Sequence, residues 1–180
     1  MRSTENENSS IEIATLAGGC FWCMESPYEK LQGVTKVVSG YSGGDVEDPS
    51  YEQVSSGATG HREAVQVYYD PEKISYKKIL DVFWRQIDPA DAGGQFADRG
   101  FQYTTAIFYH SSSQKEMAEE SKREYQEYFD EPIVTSIEEF MNFYPAEEYH
   151  QDYYKKNPLR YKFYRTGSGR DRYLDEQWNE

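Results

Sequence analysis

The segment Gly18-Gly19-Cys20-Phe21-Trp22-Cys23-Met24-Glu25 holds the only two cysteines of the chain. Unpaired backbone N–H groups at a helix N-terminus carry partial positive charge, so a cysteine there is held toward the thiolate. Residues three apart on a helix are neighbours, which puts Cys20 and Cys23 within disulfide reach. The pattern is that of a redox nucleophile with a second thiol beside it. A C-x-x-C pair also fits inert core packing or half of a zinc site. Zinc would need two more ligands, and His61, His110 and His150 include no closely spaced pair. Redox chemistry is the favoured reading.

Glu63 is the second residue with chemical promise. In Arg62-Glu63-Ala64-Val65-Gln66-Val67-Tyr68-Tyr69, a period of two puts Glu63 on the face of Val65 and Val67. A carboxyl desolvated on an apolar face keeps its proton near neutrality and suits a general acid. The same spacing also allows Glu63 to sit at a frayed strand start and face water.

These residues need elements to hold them. Apolar patterning predicts strands over 11–17, 34–41, 63–69, 103–109 and 133–137. Helices are expected over 21–31, 51–56, 75–86 and 112–128, with Pro27 near the start of the first and Ser75 capping the third. Residues 87–100 read as a Gly/Asp-rich loop. Beyond Tyr144-Pro145 a short helix leads into a long irregular tail. The alternation indicates a single α/β (α+β) domain over 11–180, preceded by a disordered polar lead-in over 1–10.

A length of 180 residues suffices for one core. No apolar run reaches membrane-spanning length and no signal-peptide region is evident, so a cytoplasmic, monomeric protein is expected. In that compartment a thiol pair is more often catalytic than structural. A net charge of −13 argues against nucleic acid as a partner. The acid-free run over 153–170 carries Lys155, Lys156, Arg160, Lys162, Arg165 and Arg170, a basic tail expected to lie on the acidic body.

Together the motifs resemble one family. They include Gly18-Gly19-Cys20-Phe21-Trp22, Gly40-Tyr41-Ser42-Gly43-Gly44, Pro49-Ser50-Tyr51 and Thr59-Gly60-His61-Arg62-Glu63-Ala64-Val65. Phe83-Trp84, Ile87-Asp88-Pro89, Asp98-Arg99-Gly100, Gln102-Tyr103, Tyr149-His150-Gln151 and Lys156-Asn157-Pro158 continue the series in order. The chain resembles the A-type peptide methionine-sulfoxide reductases, which act on the S epimer, over roughly residues 11–169.

The resemblance implies a two-layer sandwich with a ferredoxin-like core and extra helices. It implies Cys20 as nucleophile and Glu63 as the acid that protonates the sulfoxide oxygen. Tyr51 and Tyr103 would hold that oxygen, Asp98 would shape the pocket, and Phe21 and Trp22 would receive the S-methyl group. Cys23 would attack the Cys20 sulfenic acid to give a disulfide, which thioredoxin or a similar dithiol reduces, with no metal, nucleotide or flavin. Many members keep recycling cysteines in a Gly-rich tail. Here Thr166-Gly167-Ser168-Gly169-Arg170 has none, and Ser55 stands where some members carry another. Two rival readings are a thioredoxin-class oxidoreductase, with no use for Glu63, Tyr51 or Tyr103, and a non-catalytic module gripping a methyl-bearing ligand.

Overall fold

The computed structural model describes residues 11–178, so the lead-in expected over 1–10 lies outside the described residues. The chain runs β1 (Glu12–Gly18), α1 (Phe21–Glu29), β2 (Val34–Ser42), α2 (Tyr51–Ser55), β3 (Arg62–Tyr69) and α3 (Tyr76–Trp84). A hairpin of β4 (Gly94–Gln95) and β5 (Asp98–Arg99) follows, then β6 (Thr105–Tyr109), α4 (Ser112–Gln126), β7 (Ser136–Glu139) and β8 (Tyr144–Pro145). Three helices close it: α5 (Tyr153–Lys156), α6 (Pro158–Ser168) and α7 (Arg170–Trp178).

The six-stranded sheet has the order β7-β6-β1-β3-β2-β8. Its middle four strands, β6-β1-β3-β2, are antiparallel throughout, and α1 and α3 make the two crossovers. This is the ferredoxin-like split βαβ arrangement. One face of the sheet packs Leu16, Val65 and Val67 against Phe21 and Met24 of α1 and Ile79, Leu80 and Phe83 of α3. The other carries the small cluster Ala17, Ala64, Ala106 and Phe108, covered by Phe140 and Phe143. Among the described residues no helix is long and apolar enough to cross a membrane.

Local chemistry sets the boundaries. The Ser75 hydroxyl accepts the Lys78 N–H at 3.1 Å and starts α3. Ser50 and Gln53 form a reciprocal capping box on α2. Tyr103 closes a 3₁₀ turn instead of opening β6. Ile133 stays outside β7 because its N–H bonds the Gln126 side chain at 2.8 Å.

Two expectations need correction. Pro27 lies in the body of α1, not near its start. The tail is helical, not irregular, over most of its length. Helix α6 turns Tyr161, Tyr164, Arg165 and Ser168 toward the body and leaves Leu159 and Phe163 81% and 84% exposed. With polar groups inward and hydrophobes outward, it carries no apolar-in periodicity to read. Gly169, at φ +95°, separates α6 from α7.

Candidate active site

Strand β1 delivers the chain to the thiols. It ends at Gly18, paired with Thr105 of β6. Gly19 then turns at φ +89°, where an added Cβ would lie 2.7 Å from the Gln95 Cβ and 2.9 Å from Arg170 Nη2. Only glycine fits both the angle and the space. Cys20 occupies the N-cap of α1, and the Cys23 N–H donates to its carbonyl at 3.1 Å. Both thiols are free and buried, Cys20 at 6% exposure and Cys23 at 0%.

Burial changes which sulfur carries the charge. It drives the Cys20 thiol well above its ordinary range, helped by its hydrogen bond to Cys23 and by the nearby Glu63 and Asp98 carboxyls. The Cys23 thiol falls to about 6. Its largest cause is the hydrogen bond from Cys20; burial opposes, and Arg170 and Arg165 lower it further. The two hydrogen-bonded sulfurs titrate as a pair, with Cys20 pushed up and Cys23 pulled down from the ordinary thiol range. The helix-terminus expectation for Cys20 is overridden by desolvation and by the carboxyls facing it.

Glu63 sits opposite Tyr41 of β2 at 1% exposure, so it faces the interior and not water. Burial raises its carboxyl to about 8, against the stabilising Phe21 N–H, which donates to Oε1 at 3.1 Å. Asp98 and Cys23 raise it further. Near neutrality it holds a proton.

The remaining predicted residues converge on these groups. The Tyr51 and Tyr103 hydroxyls bond each other, and burial first, then Glu63, raises both. Glu147 anchors Tyr51 by accepting its N–H at 2.9 Å and the Tyr41 hydroxyl at 2.8 Å. Asp98, on β5, accepts the Tyr164 hydroxyl and is raised by burial. The Phe21 ring is fully buried, 5.1 Å from His150. Trp22 stacks on Tyr153 at 3.9 Å and meets the edge of Tyr164 at 5.7 Å. Its indole N–H donates to His150 Nδ1 at 3.1 Å, which fixes the histidine proton on Nε2, a buried atom with no hydrogen-bond partner among the described residues.

A family model for peptide methionine sulfoxide reductase matches residues 12–180. The chain is 58% identical over 169 residues to the peptide methionine sulfoxide reductase MsrA of Bacillus subtilis, covering 93% of this chain and 96% of that one. The chain belongs to the peptide methionine sulfoxide reductase family. Among solved structures, reduced Mxr1 from Saccharomyces cerevisiae superposes with a TM-score of 0.80 at 36% identity, covering 83% of this chain and 87% of that one. Mxr1 in complex with Trx2 gives 0.57 at 28% identity, over 81% and 86%.

Within this reductase the tail supplies residues that sequence reasoning gave no site role. Pro27 has no N–H for the Cys23 carbonyl one turn back. Arg165 Nη1 donates to that carbonyl instead, at 3.1 Å, while Nη2 donates to Gln86 Oε1 at 2.9 Å. Arg170 is 1% exposed and donates to the Gly18 and Gln86 carbonyls at 3.1 and 2.7 Å. Lys155 pairs with Glu29 and Lys156 with Glu148. Of the basic run, Lys155 meets a carboxylate of α1, whereas Arg165 and Arg170 meet the body through carbonyls. The acid-free run over 153–170 was the visible signal for Arg165 and Arg170; nothing in the sequence marked Glu147 or Tyr164.

Proposed function

We propose that the chain reduces the S epimer of methionine sulfoxide, free or in proteins, to methionine. The observation that carries this reading is a buried, protonated Glu63 joined through the Phe21 N–H to the turn that bears Cys20. A disulfide oxidoreductase has no need of a proton donor for a departing oxygen.

The reaction follows from the arrangement. The Cys20 proton passes to Cys23 along their hydrogen bond, and the Cys20 thiolate attacks the sulfoxide sulfur. Glu63 delivers a proton to the oxygen, and Tyr51 and Tyr103 donate hydrogen bonds to it. Methionine departs and Cys20 is left as a sulfenic acid. Cys23 then attacks that sulfur; a Cys20–Cys23 disulfide forms and water leaves. Thioredoxin or an equivalent external dithiol reduces the disulfide by exchange, a role supported by the Mxr1–Trx2 complex. The two thiols carry both electrons, so the chemistry asks for no metal, nucleotide or flavin.

Phe21 and Trp22 form the apolar wall for the methyl group, and Asp98 shapes the pocket beside it. Exchanging methyl and oxygen would bury the oxygen without donors, at a cost of about 1–3 kcal/mol or more. That difference is the basis for S selectivity. Every group comes from one chain, which suits a monomer and one catalytic domain over 11–180. A cycle that depends on reduced thiols fits the cytoplasm.

The test is a turnover assay with each epimer separately. Reduced protein should convert the S sulfoxide and leave the R sulfoxide, and Glu63→Gln should lose this activity. Exchange with protein disulfides but no sulfoxide reduction would favour the thioredoxin-class reading instead.

A further inference from the structure

Arg170 is a buried cation that, among the described residues, no carboxylate pairs with as a salt bridge. Its guanidinium rests on neutral groups: the Gly18 and Gln86 carbonyls, the Met24 Sδ at 3.8 Å and the Phe96 ring at 4.8 Å. Nη2 lies so close to Gly19 that no Cβ could stand between them. Its contacts thus bracket the thiol pair, Gly18 and Gly19 just before Cys20 and Met24 just after Cys23. A guanidinium is costly to bury unless an anion answers it. The anions that feel it are Cys23 and Asp98.

We propose that Arg170 is a positioning residue for the second half of the reaction: it holds negative charge on Cys23, so that this sulfur closes the disulfide. The assignment rests on the reading of Cys23 as the resolving thiol. The tail is built to deliver the guanidinium. Gly169 breaks the helix at φ +95°, and the Ser168 hydroxyl accepts the Arg170 N–H at 3.3 Å. Arg165, five residues earlier, donates to the Cys23 carbonyl at 3.1 Å. Where the family resemblance would put a recycling cysteine in a Gly-rich tail, this chain brings a cation to the thiols already present.

The step balances. The Cys23 thiolate forms an S–S bond to Cys20, and the Cys20 S–O bond breaks. The proton that Cys23 took from Cys20 in the first half-reaction goes to the hydroxide released, which leaves as water. Cys23 is oxidised and the sulfenic sulfur reduced. The titratable groups facing Cys23 are Cys20 and Arg165, Arg170, Tyr161 and Tyr164 of the tail, with Asp98 on β5 and Glu63 on β3.

The experiment compares reduced wild type with Arg170→Lys and Arg170→Met, which match in volume and differ in charge. Two quantities are read: the pH titration of thiolate absorbance, with Cys23→Ser as the blank, and the rate of disulfide closure after one equivalent of the S sulfoxide. Arg170→Met should titrate at higher pH, accumulate sulfenic acid and close about ten-fold more slowly near about pH 6.5. Arg170→Lys should recover most of both. If Arg170→Met fails to fold, Arg170→Gln, which keeps donors for the two carbonyls, makes the same comparison. Closure as fast in the neutral variant as in wild type overturns the proposal. So does a lysine variant as slow as the neutral one, since shape and not charge would then matter. A wild type that converts sulfoxide but forms no disulfide overturns the resolving role of Cys23, and this assignment with it.

Discussion

The Phe21 N–H donates to Glu63 Oε1 at 3.1 Å, tying the first residue of α1 to strand β3 across 42 positions of sequence. The Glu63 carboxyl is therefore registered against the turn that carries Cys20. Because the other causes acting on Glu63 raise its carboxyl to about 8, it stays protonated where most carboxyls are ionised.

Turnover should be bell-shaped in pH. It should rise through about 6, as the thiol pair gains its negative charge, and fall through about 8, as Glu63 loses its proton. Glu63→Gln should lower kcat/KM by about 10²–10⁴-fold and abolish the alkaline limb. Steady-state rates across pH check both. A variant that keeps the alkaline limb would move that titration to another group.

Glu25 is a buried carboxyl outside the chemistry, raised to about 7 mainly by desolvation. Oε2 accepts the Asp152 N–H at 2.9 Å, whereas Oε1 is buried with no hydrogen-bond partner among the described residues. Its folded-state pKa lies above the ordinary 4.5. Its favourable contribution is then complete below that value and is lost as pH rises to about 7. Glu25→Gln should flatten the dependence of Tm on pH across this window. Equal slopes in variant and wild type would show that Glu25 ionises freely in the fold.

Gly19→Ala should be among the costlier single-methyl changes in the chain. The added Cβ meets Gln95 and Arg170 at under 3 Å on a backbone at φ +89°. A loss of about 2 kcal/mol or more is expected in denaturant unfolding. Thiol reactivity should shift with it, because Arg170 must move. A neutral effect on both would mean that the turn has room the structure does not show.

Arg165 satisfies the Cys23 carbonyl that Pro27, with no N–H, leaves open. Pro27→Ala supplies the helical N–H, so Arg165→Ala should cost less in that background than alone. The coupling expected from a charge-assisted bond is about 1 kcal/mol, read from a double-mutant cycle. Strict additivity would mean that Arg165 holds the tail through Gln86 and Asp171 alone.

Much of the site was legible because it is local or periodic. Gly19, Cys20 and Cys23 lie within one turn of chain, and alternation along β3 put Glu63 on the face of Val65 and Val67 while leaving a water-facing start open, which its 1% exposure settles. The four-strand core follows from strands whose apolar faces are plain. The tail was not legible for a physical reason. Helix α6 turns half-buried Tyr164 and Arg165 toward the body and exposes Leu159 and Phe163, so hydrophobic periodicity points the wrong way. Part of what lowers the Cys23 thiol was hidden too, since beside the Cys20 hydrogen bond it draws on Arg170, which arrives from 147 positions away by way of the Gly169 turn. Glu147, which accepts the Tyr51 N–H and the Tyr41 hydroxyl, looks in sequence like any surface acid.

The most direct test is the intact mass of reduced protein after one addition of the S sulfoxide with no reductant present. The wild type should lose two hydrogens as Cys20 and Cys23 join, and Cys23→Ser should instead gain one oxygen on Cys20. An unchanged mass with no methionine released would contradict the sulfoxide chemistry altogether.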